Sequence, residues 1–351
     1  MTVSAGGLGA TAVLLAALLD RWIGDPMGWP HPVVVMGWWI KQLRQGLEPW
    51  AGESPWRLRW AGGLITLLLV MASGLSGWWL EQFALGRWMA GDPAVRGVAT
   101  ALQGVATVLL MVGLASALAG RSLEQAVMAV VKPLEAHDLP GARQRLQWIV
   151  GRDTASLDAA EIHRAAAETA AENGVDGLFA PLFWMLVGLV IWQVEPSWPG
   201  PLALAWSFKA ASTLDSMLGY RRGSLRWLGT AGARLDDLLV WLPCRLVMLT
   251  LPLVSQPWSA WWGLVRAAER DGAPDPSPNA GRAEAIYAHC AGVRLGGRNR
   301  YGDRWVEKPL LAGQQPSADS AAILRILVCS RRLEVLWLLL PLLLLTRALS
   351  V

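Results

Sequence analysis

The sequence has little that would staple or metallate a small domain. Its cysteines, Cys244, Cys290 and Cys329, stand alone with no CxxC pair, which excludes a disulfide framework and the usual zinc spacings and fits a reducing compartment. Charge is scarce: 17% of the 351 residues are charged and 54% are apolar, a balance that leans towards a membrane protein. The basic residues never gather into a run and acids stand beside them, so a net charge of +4 does not point to nucleic acid. Lys41, Lys132, Lys209 and Lys308 are the lysines, and none follows a glycine, so no GxxxxGK[ST] phosphate loop is present. No stretch alternates convincingly as a half-buried strand would, and no internal repeat or low-complexity tail is visible.

What the chain does have is apolar length. A bilayer crossing needs about 20 mostly apolar residues. Met1 to Leu19, Trp60 to Leu80, Gly97 to Gly120 and Gly177 to Val194 are uncharged, and Val335 to Thr346 is short but intensely apolar. Pro196 to Phe208 and Leu238 to Val265 are apolar but interrupted by Pro or Arg, as suits helices lining a cavity. The first run lacks a basic n-region and passes directly into Asp20-Arg21, so it is expected to be a membrane helix and not a cleaved signal. The expected fold is all-α: one polytopic membrane domain over 1–351, with cytoplasmic helical insertions at about 121–176 and 266–332. Loops rich in Lys and Arg favour the cytoplasmic side, which places 41–59, 121–176, 209–234 and 266–332 there. For the last to return inside, Leu238 to Val265 must form a hairpin or re-entrant pair, with Pro252 and Pro257 as the breaks. The 22 tryptophans read first as an interfacial aromatic belt.

Two soluble helices are expected between the membrane segments. Arg121 to Pro140 carries Leu123, Val127, Val130 and Leu134 on one face, and a short helix bearing Arg143 and Arg145 follows Pro140. A third helix, from about Asp158 to Asn173, opens on Asp158 with Glu161 three residues later, a capping box. Its Glu161, Glu168 and Glu172 share a face at intervals of seven and four, on a background of alanine. Asp176 follows, immediately before an apolar segment.

These acids are the first chemical signal. A carboxylate stripe leading into bilayer is expensive, and such acids are usually functional. The ordinary alternative is a solvated helix face. Clustered carboxylates repel unless a cation lies among them, and Mg²⁺ takes oxygen ligands and commonly bridges to phosphates. A second cluster holds Lys209 and Asp215, whose spacing of six puts them on different sides of one helix. Lys209 is either a phosphate ligand or a snorkelling residue at a helix end. In a third, Arg234, Asp237, Trp241 and Arg245 share a helical face beside Asp236. That face is either an internal ion-pair ladder or a bidentate phosphate site, and the two aspartates are candidate oxygen donors. Asp25 and His31 follow the first apolar run among prolines. Ser277-Pro278-Asn279-Ala280-Gly281 and Leu295-Gly296-Gly297…Asn299-Arg300-Tyr301-Gly302 read as polar, glycine-rich loops that let backbone amides approach a ligand.

Taken together, these strings resemble one family. Asp20…Gly24-Asp25-Pro26…Pro30-His31-Pro32-Val33…Gly37 resembles the opening of the CobD/CbiB proteins of cobalamin biosynthesis. So do Gly151-Arg152-Asp153-Thr154, Ala171-Glu172-Asn173…Asp176-Gly177…Ala180-Pro181-Leu182-Phe183-Trp184, and Phe208-Lys209…Thr213-Leu214-Asp215-Ser216-Met217…Gly219-Tyr220-Arg221. Ala233-Arg234-Leu235-Asp236-Asp237 and the two glycine-rich loops complete the set, in family order over nearly the whole chain.

The resemblance implies a multi-pass enzyme of the bacterial cytoplasmic (inner) membrane, with its active site facing the cytoplasm. It would join (R)-1-aminopropan-2-ol phosphate, or the free amino alcohol, to the free propionate of adenosylcobyric acid, with ATP as co-substrate and Mg²⁺ as cofactor, through an acyl phosphate. In that frame Asp153, Glu172, Asp176 and Asp237 are the metal candidates, and Arg152, Thr154, Arg221, Arg234 and Asp236 the phosphate or nucleotide candidates. Glu168 or Asp215 is the base, and Lys209 acts beside them. Asp25, His31, Ser277, Asn279, Asn299 and Tyr301 are candidates for holding substrate, and some tryptophan faces would stack on the corrin. Lipid is the expected surrounding, and a second copy of the chain or other late enzymes of the pathway are candidate partners. Two rival readings are a transporter, which also places acids in broken membrane helices, and a non-catalytic AmpE-like membrane sensor.

Overall fold

The computed structural model describes residues 4–25, 31–87, 96–220, 222–301 and 304–350. Helices dominate in the order α1 (Ala5–Trp22), α2 (Pro32–Ala51), α3 (Pro55–Ala84), α4 (Arg96–Ala115), α5 (Gly120–Glu135), α6 (Leu139–Gln147) and α7 (Ala159–Gly174). A π-helical turn (Val175–Phe179) leads into α8 (Ala180–Val194), α9 (Pro201–Leu218), the single turn α10 (Leu225–Leu228) and α11 (Thr230–Ser255). A short 3₁₀ turn precedes α12 (Trp261–Gly272), followed by α13 (Ala280–Ala291), the hairpin β1 (Leu295–Tyr301) and β2 (Arg304–Leu311), and α14 (Ser320–Ser350).

Among the described residues, four helical stretches are long and apolar enough to cross a membrane: Pro55–Ala84, Gly97–Glu135, Ala159–Val194 and Thr230–Ser255. The protein is thus an all-α polytopic membrane protein carrying one small hairpin. The expected spans at 60–80, 97–120 and 177–194 fall inside three of these. α1 and α14 are not among them. Ala10, Ala12, Val13 and Ala16 of α1 are fully buried, and the short run 335–346 is only the end of the longer α14. α11 continues through Pro243 and Pro252. Of the two expected breaks only Pro257 interrupts the helix, and the Trp261 indole then donates back to the Leu249 carbonyl (2.7 Å).

The chain divides into two compact units. The first comprises Met1–Ala119, Ala180–Leu239 and Leu338–Val351. Within it α3 packs on α2, α4 and α9, and α1 packs on α4 and α8. Gly77 lets α3 touch the Ala203 backbone of α9, at a separation that any Cβ would violate; small residues of this kind let membrane helices approach. Glu81, fully buried in α3, accepts from the N–H groups of Gly200 (2.9 Å), Leu202 (2.6 Å) and Ala203 (3.1 Å). The first N–H groups of a helix have no partner of their own, and this carboxylate provides one for α9. Several tryptophans are exposed, Trp22, Trp56 and Trp60 among them, whereas Trp192 is buried.

The second unit comprises Gly120–Phe179 and Val240–Trp337, and both expected insertions, 121–176 and 266–332, lie within it. α5 buries Val127, Val130, Val131 and Leu134 against α6 and α7. α6 starts two residues earlier than expected, at Leu139, because Asp138 caps it and Pro140 sits in its first turn. α7 opens on the expected capping box: the Asp158 carboxylate accepts from Glu161 N–H (2.8 Å), and the Glu161 carboxylate from Asp158 N–H (2.9 Å). Such a cap is worth about 1 kcal/mol.

The segment read as a glycine-rich loop at Leu295–Gly302 is instead strand β1 as far as Tyr301, paired antiparallel with β2; Gly302 lies outside the described residues. Three glycine or charged residues in its first four hide the alternation that would signal a strand. The register slips between Gly296 and Gly297, both at positive φ, and a Cβ on Gly296 would overlap the Pro309 carbonyl oxygen. Only glycine makes this bulge without strain.

Candidate functional site

The best-formed polar constellation lies in the second unit, where α7, α13 and the hairpin meet. α7 turns its alanines inward and carries Glu168, 1% exposed, into the packed interior. Both oxygens of Glu168 are engaged. Oε1 accepts from Gly296 N–H (2.9 Å) and Oε2 from Arg152 Nη2. Arg152, just ahead of α7, uses Nη1 to reach Asn299 Oδ1 (2.7 Å). Arg164, one turn before Glu168, donates to the carbonyls of Gly296 and Arg298 and to Asn299 Oδ1 (3.1 Å). The glycine bulge makes this possible, since it turns the N–H of residue 296 to the acid and its C=O to the guanidinium.

A second half adjoins it. Lys308 of β2 stands 3.1 Å from Glu284 Oε1 of α13 and 3.6 Å from Asp275 Oδ2. Glu172, one turn beyond Glu168, lies within electrostatic reach of Lys308, Asp275, Glu168 and Arg152. Burial pushes the Glu284 carboxyl up, to about 8, against the pull of Lys308. Burial also opposes charge on Lys308, but the surrounding acids outweigh it and hold the ammonium above its usual range. Three buried polar atoms of this cluster have no hydrogen-bond partner: Asp275 Oδ2, Glu284 Oε2 and Asn299 Nδ2. Burying ions costs several kcal/mol each, and an orphaned buried atom adds about 1–3 kcal/mol more. A shifted carboxyl and three orphans gathered in one place are the mark of a site with a task.

Of the residues expected from the sequence, Arg152, Glu168, Glu172 and Asn299 meet here. Asp153 lies beside them; its N–H donates to the Arg300 carbonyl (3.1 Å) and its Oδ1 accepts from Ala155 N–H. Thr154 donates to the Arg143 carbonyl or Gln147 Oε1 and ties α6 to the segment before α7. Asp176 sits in the π-helical turn, and Tyr301 at the exposed end of β1. Ser277 Oγ accepts from the N–H groups of Asn279 and Ala280 and so begins α13. Asn279 Oδ1 accepts from Arg245 Nη1 (2.6 Å), so Arg245 reaches across to the start of α13. Arg164, Asp275, Glu284 and Lys308 were not among the expected residues. Lys308 stood out only as one of few lysines, and nothing local links it to residues 275 and 284.

The first unit carries a separate charged group. Asp236, with a buried Oδ1 lacking a partner, is within electrostatic reach of Lys209, Asp215 and Asp237, so the fold gathers α9 and α11 residues that one helix could not pair. Arg234 and Asp237 line a cleft of about 330 Å³. His31 Nδ1 accepts from Val33 N–H (3.3 Å) as the cap of α2, and its Nε2 meets Asp25 Oδ1 at 3.2 Å. Arg221, with Pro26 and Pro30 of the first motif, lies outside the described residues.

Among the described residues no three or more His, Cys, Asp or Glu side chains are grouped as a ready metal cage. Magnesium commonly needs only one or two carboxylates when phosphate oxygens supply the rest. Glu172, within electrostatic reach of Lys308 and the buried cluster, fits that shared mode.

Comparison with known proteins agrees with the motifs. Residues 13–330 match the family described as CobD/Cbib protein. The chain is 43% identical over 302 residues to cobalamin biosynthesis protein CobD of Synechocystis sp., covering 86% of this chain and 82% of that protein. It is 36% identical over 320 residues to CobD of Yersinia enterocolitica, covering 87% and 88%, and 35% identical over 327 residues to cobalamin biosynthesis protein CbiB of Salmonella typhimurium, covering 92% and 91%. No solved structure matches it.

Proposed function

This chain belongs to the CobD/CbiB family of cobalamin biosynthesis proteins, and we propose that it makes the amide bond between an amino-alcohol phosphate and a corrinoid carboxylate. The substrates would be (R)-1-aminopropan-2-ol phosphate and adenosylcobyric acid, and the product adenosylcobinamide phosphate. The observation that carries this reading is the family match over residues 13–330; the buried ion cluster supplies residue types that the reaction needs.

A carboxylate is a poor acyl donor at neutral pH, so we assign ATP as the activating co-substrate. The corrinoid carboxylate oxygen attacks the terminal phosphorus, the bond to ADP breaks, and an acyl phosphate forms. The amine nitrogen then attacks the acyl carbon. A C–N bond forms, the C–O bond breaks, and phosphate leaves with the electron pair. The nitrogen must shed a proton, and Glu284 takes it at Oε2, the oxygen that lacks a partner. Glu168 is less suited to that role because both its oxygens are engaged. Lys308 offers a cation to the charge developing on oxygen. Arg152 orients Asn299, leaving its free Nδ2–H to donate to a substrate carbonyl or carboxylate. Mg²⁺, held by Glu172 together with phosphate oxygens, would neutralise charge on the phosphoryl group.

We place the protein in the bacterial cytoplasmic membrane with this site on the cytoplasmic side, where ATP is found. The test is product formation by purified protein in nanodiscs supplied with adenosylcobyric acid, aminopropanol phosphate, ATP and Mg²⁺, read by mass spectrometry. Amide formation that stops without ATP or Mg²⁺ is expected. Well-folded protein that forms no product with either the phosphorylated or the free amine would overturn the reading.

A further inference from the structure

Three arginines of the first unit converge with fewer acids than arginines around them. Arg59 projects from the first turns of α3, Arg226 from α10 and Arg234 from the first turns of α11. The Arg59 guanidinium lies 4.5 Å from the centre of the Trp227 ring, and that of Arg226 lies 4.8 Å from the same ring. One indole thus holds two like charges close together, an arrangement that cation–π attraction tolerates but does not neutralise. None of the three arginines forms an ion pair with a carboxylate among the described residues.

Two clefts open where they meet. One, of about 330 Å³, is lined by Arg226, Trp227, Thr230, Arg234 and Asp237 among others. The other, of about 350 Å³, is lined by Arg59, Thr230, Ala231 and Arg234. Thr230 and Arg234 belong to both. Asp237 is the acid on the wall, and it leaves a surplus of positive charge. Exposed guanidiniums around a concave surface present fork-shaped donors that match phosphate oxygens.

The position narrows the ligand further. α3 and α11 are both long and apolar enough to cross a membrane, and both begin at this cleft. The exposed Trp56 and Trp60 stand beside Arg59 on α3, where indoles favour the membrane–water boundary. Negative lipid headgroups attract basic residues at that depth.

We propose that Arg59, Arg226 and Arg234 form a binding site for a phosphate ester at the membrane–water boundary. The ligand is either the headgroup of an anionic phospholipid or a free phosphate monoester. The proposal needs no turnover and is independent of the reaction argued above, so either can fail alone.

The test uses the full chain in two kinds of nanodisc. In neutral phosphatidylcholine discs, inorganic phosphate and phosphoethanolamine are titrated at low salt and binding is read by phosphorus NMR line broadening. In discs of mixed phosphatidylcholine and phosphatidylglycerol, native mass spectrometry reads which lipid stays on the released protein. Broadening in the first arm identifies a soluble phosphate, and selective retention of phosphatidylglycerol in the second identifies a lipid. Whichever signal is found, the R59Q/R226Q/R234Q protein loses it by about tenfold or more, the effect of removing charge-assisted hydrogen bonds. R57Q, which changes an arginine outside both clefts, retains it. Should the triple variant not fold, R226Q alone, exposed on a single turn of helix, is expected to weaken the signal about threefold. No signal in either arm, or the same signal from the variants, overturns the proposal.

Discussion

Lys308 Nζ stands 3.1 Å from Glu284 Oε1 while the other oxygen of that carboxylate, Oε2, is buried with no partner. The pair bridges the second strand of the hairpin and α13, and it sets one orphaned oxygen beside an ammonium already shared with Asp275. A carboxyl so placed can hold or release a proton near neutral pH.

The pH dependence of amide formation follows from that arrangement. Glu284, pushed up to about 8, acts as a base only when ionised, so kcat/KM should rise with pH and level off above about 8. Glu284→Gln should lower the rate by about a hundredfold or more and remove that limb of the profile. An unchanged profile in E284Q would exclude Glu284 as the base.

Stability should show the same group with the opposite sign. Between its ordinary value of 4.5 and about 8, Glu284 keeps a proton in the folded protein that the unfolded chain releases. The stability this adds is fully present at low pH and falls as pH rises through that window. Melting temperatures in detergent at pH 5 and pH 8 should therefore differ more for the native protein than for E284Q.

Removing the cation should be severe. Lys308→Met leaves Glu284 and Asp275 buried without their positive partner, and breaking such a pair costs about 3–5 kcal/mol. Adding E284Q to K308M should recover part of the loss, because fewer charges remain uncompensated. A melting point for K308M equal to that of the native protein would show that the ion pair contributes nothing.

Glycine 296 offers a test of the local backbone. A Gly296→Ala protein must relieve both a positive φ and a collision with the Pro309 carbonyl. A loss of about 1–3 kcal/mol is expected, together with weaker activity, because the N–H at 296 holds Glu168. Gly313→Ala, past the hairpin, is the comparison and should do much less.

Glu81 should matter to folding and not to chemistry. Glu81→Ala strands the three N–H groups at the start of α9, and each buried donor left unmade costs about 1–3 kcal/mol. E81Q keeps an acceptor and should lose less. Thermal unfolding in detergent, compared with activity of the protein that remains folded, separates the two effects.

Much of this was legible locally. The apolar runs at 60–80, 97–120 and 177–194 announced their helices, because crossing a bilayer demands length and low charge in one continuous stretch. The capping box at Asp158 and Glu161 announced the start of α7, because its partners are three residues apart. The hairpin was illegible, since Gly296 and Gly297 break the alternation by forming a bulge. The uncharged run at the N-terminus was legible as a helix too: it became α1, whose small residues bury against other helices.

The sequence by itself determined the helical membrane architecture, the family and the acid-bearing face of α7, since each is written in periodicity or in a contiguous motif. Only the tertiary structure decided that Glu284, Asp275 and Lys308 form one cluster, and that Arg152 spans Glu168 and Asn299. Those partners are separated by up to 147 positions, and no spacing rule connects residues whose proximity depends on how helices and a hairpin pack. The same holds for Arg59 and Arg226 on Trp227: α3 and α10 had to meet before their charges became neighbours.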